Sequence, residues 1–132
     1  MSSILIVQDH IVFANAMQRL LAGKTDLEIV DIVQSGEEAL KRLSELKVDL
    51  VLVDVSLPAM SGIDLVQQIH RKFPHLPCLI LSGHMTPKYV KRSLEVGASG
   101  YILKDDVKGI LEGIRSVLAG EIYVSQALRR NE

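Results

Sequence analysis

The chain has 132 residues, 48% of them hydrophobic and 23% charged, with a net charge of -1. That suffices for one folded domain with a real core and argues against disorder, while the near-neutral charge points to neither nucleic acid nor an anionic membrane as a direct partner. A lone cysteine excludes an intramolecular disulfide, no apolar run nears the roughly 20 residues of a membrane helix, and Met1-Ser2-Ser3-Ile4 lacks the basic start of a signal peptide. The expectation is a cytoplasmic protein without membrane contact.

Ile4-Leu5-Ile6-Val7 reads as a buried strand ending in Gln8-Asp9-His10. Phe13, Met17, Leu20 and Leu21 then recur at helical spacing, with Gly23 as a stop. Leu27 to Ile32 alternates more than the other strands and belongs nearer an edge. Ser35-Gly36-Glu37-Glu38 has the form of a capping box, opening a helix with apolar positions Ala39, Leu40, Leu43 and Leu46. Leu50-Val51-Leu52-Val53-Asp54 follows, four apolar residues running into one carboxylate. A run so short and wholly apolar is a strand covered on both faces.

Ser61-Gly62-Ile63-Asp64 starts another helix, with Leu65, Val66, Ile69 and Phe73 inward, before Pro74 and Pro77 break the chain. Cys78 to Leu81 is a fourth strand, ending in Ser82-Gly83-His84; its cysteine reads as a buried, inert thiol. Thr86-Pro87 opens a helix with Val90 and Leu94 inside, the thinnest apolar face of the set. Tyr101-Ile102-Leu103 makes a fifth strand ending at Lys104. Val107, Ile110, Leu111, Ile114, Val117 and Leu118 form the strongest helical stripe, interrupted by Gly109 and Gly113 where the helix is expected to pack closely on the sheet.

Strand then helix, five times over, predicts an α/β, flavodoxin-like (βα)5 doubly wound parallel sheet with strand order 2-1-3-4-5. The switch point between strands 1 and 3 brings Asp9 and Gln8 beside Asp54, with Ser82 and Lys104 on the same carboxyl edge. Two close carboxylates repel unless a cation sits between them, and oxygen ligands on an open site suit Mg2+. Lys104 supplies a positive charge, Ser82 a hydroxyl, and Gly83 leaves space for an approaching group. Metal, ammonium and hydroxyl around one carboxylate is what phosphoryl transfer to that carboxylate needs. Each residue also has a plain structural role open to it: Asp9 as a helix cap, Lys104 as a solvated strand end, Ser82 as a turn residue. Their convergence is what favours chemistry.

Ile-Val-x-Asp-His at 6–10, Val-Asp-x-x-Leu-Pro-x-Met-x-Gly at 53–62, Leu-Ser-Gly at 81–83 and Gly-Tyr-Ile-Leu-Lys at 100–104 resemble the receiver domain of bacterial two-component response regulators. The resemblance implies that Asp54 takes a phosphoryl group from a partner histidine kinase. Asp9, Asp54 and the backbone carbonyl of Ser56 would ligate Mg2+. Lys104 would pair with the acyl phosphate, Ser82 would swing to bond it, and Tyr101 would change exposure as Ser82 moves. The face of the fourth helix, fifth strand and fifth helix would change partners, and activation is expected to allow a homodimer through that fourth-helix face or through the first and fifth helices. His84 and Ser56 would tune the phosphoryl group's lifetime.

Lys104-Asp105 and the tail Gly120-Glu121-Ile122-Tyr123-Val124-Ser125 resemble the subgroup that carries a C-terminal LuxR-type helix-turn-helix output domain. On this reading residues 1–120 are the receiver domain and 121–132 begin a linker or tail, with the DNA-binding output domain absent because the chain is truncated or, alternatively, because it is a stand-alone receiver. Arg129-Arg130 is too little for nucleic acid binding by this chain. Gln8 departs from the resemblance, standing where a second acid is usual; through its oxygen it would reach the metal by way of a bound water, with weaker Mg2+ affinity. Three alternatives are weighed. A pseudo-receiver that only binds proteins would follow from Gln8. A haloacid-dehalogenase-like phosphatase would need an aspartate where Ser56 stands. A flavodoxin-type FMN binder would need a phosphate-cradling loop after the first strand and a tryptophan to sandwich the flavin, and the chain has neither.

Overall fold

The computed structural model describes residues 1–83 and 86–129. Strands β1 (Ser2–Val7), β2 (Leu27–Val33), β3 (Leu50–Asp54), β4 (Cys78–Ser82), β5 (Gly100–Leu103) and β6 (Tyr123–Val124) alternate with helices α1 (Ile11–Leu21), α2 (Gly36–Leu43), α3 (Gly62–Lys72), α4 (Pro87–Glu95), α5 (Val107–Leu118) and α6 (Gln126–Arg129). They form one parallel sheet in the order β2-β1-β3-β4-β5-β6. The expected order 2-1-3-4-5 is present, and a short sixth strand extends it beyond β5.

Because strand side chains alternate between faces, each central strand feeds two cores. Leu5, Val7, Val51, Val53, Ile80 and Tyr101 pack with Ala39, Leu43, Leu65, Val66 and Ile69 of α2 and α3. Ile4, Ile6, Leu50, Leu52, Leu79, Leu81 and Ile102 pack with Met17 and Leu21 of α1 and Ile110, Ile114 and Val117 of α5. All of β3 and β4 is buried, as unbroken apolar runs require. β2 is the edge strand, and its uneven pattern has a cause. Its register against β1 jumps between Ile4 and Leu5, so Val30 bulges out and Asp31 is set to meet Arg42 at 2.8 Å.

Two helices start as their sequences require: Ser35 Oγ accepts from the Glu38 amide at 3.2 Å and Ser61 Oγ from the Asp64 amide at 3.1 Å. Thr86 holds the N-cap position of α4 without a side-chain bond there, and Ser93 is the one fully buried residue of that helix. In α5 the two glycines have different reasons. A Cβ on Gly113 would overlap Ile102 of the sheet, the close packing that its sequence suggests, whereas one on Gly109 would overlap the Asp106 carboxylate that caps the helix.

The stretch from residue 121, read from the sequence as the start of a linker or tail, carries β6 and α6. Tyr123 and Val124 pair with Gly100 and Tyr101, and Ser125 and Leu128 are buried. The Ser125 hydroxyl accepts from the Leu103 amide at 3.0 Å and donates to Asp106 Oδ2 at 2.9 Å. Among the described residues no helix is long and apolar enough to cross a membrane.

Candidate functional site

β1 and β3 are neighbours whose chains leave in opposite directions, so their carboxyl ends open a crevice. Asp54, the last residue of β3, is 1% exposed, yet its carboxylate is well supplied with donors. Oδ1 accepts from the Ser56 amide at 3.0 Å, and Oδ2 accepts from Lys104 Nζ at 2.7 Å. A charged pair so short and so poorly hydrated is held in place rather than wandering in solvent. Lys104 is itself anchored: its amide donates to the Ser82 carbonyl at 2.9 Å, and its ammonium lies 5.2 Å from the centre of the Phe13 ring.

The loop that leaves Asp54 is wound tightly. Met60 N–H donates to the Pro58 carbonyl at 2.7 Å around Ala59, whose φ is +65°. This is a γ-turn of the rare, strained hand, in a conformation that costs an L-residue about 1–2 kcal/mol. The loop closes where the Gly62 amide donates to the Val55 carbonyl at 2.9 Å; a Cβ on Gly62 would overlap the Asp54 carbonyl oxygen. Glycine there is what lets α3 begin against the end of β3.

On the β1 side, Gln8 is 2% exposed. Its Oε1 accepts from the His10 amide at 3.1 Å and lies 3.2 Å from His10 Nδ1, while its Nε2 is buried with no hydrogen-bond partner. His10 Nδ1 is also 3.6 Å from Asp9 Oδ1 and 3.7 Å from Asp54 Oδ2. Asp9, His10 and Asp54 each present a ligand atom within 4.8 Å of the other two. On the far side, Ser82 ends β4 fully buried, and Tyr101 on β5 is fully buried too. Burial pushes the Tyr101 phenol up from its ordinary pKa, opposed by a hydrogen bond with Ser82.

Over residues 4–115 the chain matches the response regulator receiver domain family. It belongs to that family. Among its relatives are the transcriptional regulatory protein DegU of Brevibacillus brevis, 30% identical over 129 residues, covering 97% of this chain and 55% of that protein. Response regulator GacA of Pseudomonas viridiflava is 33% identical over 126 residues, covering 95% of this chain and 59% of that protein. This receiver thus spans little more than half the length of either. Its backbone superimposes on the crystal structure of a LuxR-family two-component response regulator from Aurantimonas sp. SI85-9A1 with a TM-score of 0.94 at 26% identity, covering 98% of this chain and 94% of that one.

In this receiver the fold brings Asp9, Asp54, Ser82, Lys104 and Gln8 together at one edge, with Tyr101 against Ser82. Gly83 is exposed, with nothing within 4 Å of where a Cβ would sit. His84 lies outside the described residues. The Gln8 oxygen meets the His10 amide and imidazole. The roles of three contributors are not legible in the sequence. The sequence places His10 only at the end of the first strand, Phe13 only at an apolar helix position, and Ser125 in the tail. The Asp-His pair at the end of β1 was the one sequence signal available; nothing local marks Phe13 or Ser125.

Proposed function

We propose that this receiver domain is a phosphoacceptor switch in which Asp54 attacks the phosphorus of a phosphohistidine on a partner kinase. The phosphorus–nitrogen bond breaks as the phosphorus–oxygen bond to Asp54 forms, leaving an aspartyl phosphate and a neutral kinase histidine. The observation that carries this reading is the buried Asp54 carboxylate with the Lys104 ammonium 2.7 Å away. That ammonium stands where charge accumulates on the transferring oxygens, beside a carboxylate that is itself buried. Ser82, one strand over, offers a hydroxyl to the same group, and its bond with Tyr101 links the event to β5. The chain acts on itself and does not turn over substrate.

Asp9, Asp54 and the Ser56 backbone carbonyl would hold Mg2+, and the donor chemistry fits: two carboxylates brought together with a backbone carbonyl offer the hard oxygen ligands that such an ion takes. When bound, such an ion neutralises the two carboxylates and the incoming phosphoryl oxygens. Kinship with the transcriptional regulatory protein DegU supports a role in transcriptional control, which on this reading acts in the cytoplasm through a C-terminal DNA-binding output domain.

Intact mass after incubation with Mg2+ and acetyl phosphate tests the reading. One phosphoryl adduct is expected on the wild type and none on Asp54→Ala. A second reading, a receiver that binds partners without being phosphorylated, is favoured by one observation: a neutral Gln8 whose oxygen is engaged by His10. The folded wild type would then carry no adduct from either acetyl phosphate or a phosphorylated kinase.

A further inference from the structure

Lys104 carries its charge at the end of a long, flexible side chain. Its backbone is tied to the Ser82 carbonyl, but the side chain must still cross from the end of β5 to the end of β3 to reach Asp54 Oδ2. Confining so many rotatable bonds costs entropy, which a second contact along the way offsets. The fold supplies one. Phe13 lies in the first turn of α1, one turn before Met17 and two before Leu21, both buried against the sheet. The same stripe carries Phe13 to the crevice, where it is only partly buried and its ring centre stands 5.2 Å from Lys104 Nζ.

An ammonium within about 6 Å of a ring centre is drawn to the ring's negative face, more strongly where water is partly excluded. Lys104 meets both conditions, with its side chain 23% exposed. Resting on the reading of Asp54 as phosphoacceptor, we propose that Phe13 is a positioning residue for phosphoryl transfer, acting through Lys104. The two partners of the ammonium differ in kind. Asp54 changes on phosphorylation, because one of its anionic oxygens becomes part of an acyl phosphate. The Phe13 ring has no titrating group and takes no part in bond making, so it is the same before and after. It keeps the ammonium at the crevice while Lys104 exchanges a carboxylate oxygen for a phosphoryl oxygen. Part of the orientation that the transition state requires is thereby built in beforehand. A leucine would fill similar space and offer the ammonium no such attraction.

Comparing the wild type with Phe13→Leu and Phe13→Tyr separates the ring face from mere apolar bulk, with far-ultraviolet circular dichroism as the check on folding. One readout is the rate of adduct formation from acetyl phosphate at saturating Mg2+, followed by intact mass over a range of donor concentrations. The other is the NMR shift of the Lys104 side-chain methylenes, which a nearby ring face moves upfield without any phosphorylation. Phe13→Leu should lower the maximal rate about three- to tenfold. The donor concentration for half-maximal rate should change little, and the methylenes should return to their ordinary shifts. Phe13→Tyr should stay within about twofold of the wild-type rate and keep the upfield shifts. A wild-type rate in Phe13→Leu, or equal slowing in both variants, would overturn the proposal while leaving Asp54 as the acceptor. Wild-type Lys104 methylenes at their ordinary shifts would overturn it too. A wild type that takes no adduct would remove the phosphoacceptor reading, and this proposal with it.

Discussion

At the scale of single residues, burial decides what the chemistry of a side chain amounts to. Asp54 and Cys78 are both 2% exposed or less. Asp54 sits at the end of its strand, where Lys104 and the Ser56 amide reach it. Cys78 starts its strand among apolar neighbours, and burial pushes its thiol from the ordinary 9.0 up to about 12. A thiol with that value is neither nucleophile nor ligand near neutral pH. The stability consequence has a definite sign, because a raised pKa means the folded state holds its proton longer than the unfolded one. The contribution is complete below about pH 9, where both states are protonated, and is lost progressively as pH rises from there towards 12. We expect folded protein to resist a thiol reagent at pH 8.5 and to react fully once denatured, with its urea midpoint falling as pH climbs past 9. Rapid labelling of the native chain would contradict the burial.

Between elements, contacts remote in sequence define the site's geometry. β5 delivers Lys104, and β5 is flanked by β4 on one side and by β6 on the other. The Ser125 hydroxyl, just after β6, bridges the Leu103 amide and the Asp106 carboxylate that caps α5. One hydroxyl therefore ties the end of β5, the start of α5 and the tail together beside Lys104. Ser125→Ala leaves the Leu103 N–H buried without an acceptor, which costs about 1–3 kcal/mol. Urea unfolding should show that loss, and hydrogen exchange at the Leu103 amide should accelerate. An unchanged exchange rate would mean the bridge is not formed in solution.

For the whole molecule, the question is where the folded unit stops. A boundary at residue 120 would leave Leu128 out of the core, although it is 6% exposed, and would bare the β5 edge that Tyr123 and Val124 cover. Burying one leucine and satisfying one buried amide together contribute roughly 2–5 kcal/mol. A chain ending at Gly120 should therefore unfold at clearly lower urea than the full chain, with a smaller slope because less surface is exposed. Equal midpoints would show that residues 121–132 are not part of the stable fold.

The chain's own residues determined a good deal. Apolar runs at Ile4, Leu50 and Cys78 specify central strands because a β-strand covered on both faces admits few polar side chains, and the alternating helices leave the doubly wound order as the common solution. Asp9, Asp54, Ser82 and Lys104 were legible because each closes a strand or follows within two residues of its end, and strand ends in such a sheet share one edge. What the sequence could not show is what a side chain meets across the fold. His10 faces two carboxylates, Phe13 lies under Lys104, and Ser125 satisfies Leu103; in each case the partner comes from a different part of the chain or depends on the backbone turn between them. Periodicity reports which face of an element is covered. Only packing decides which atoms cover it.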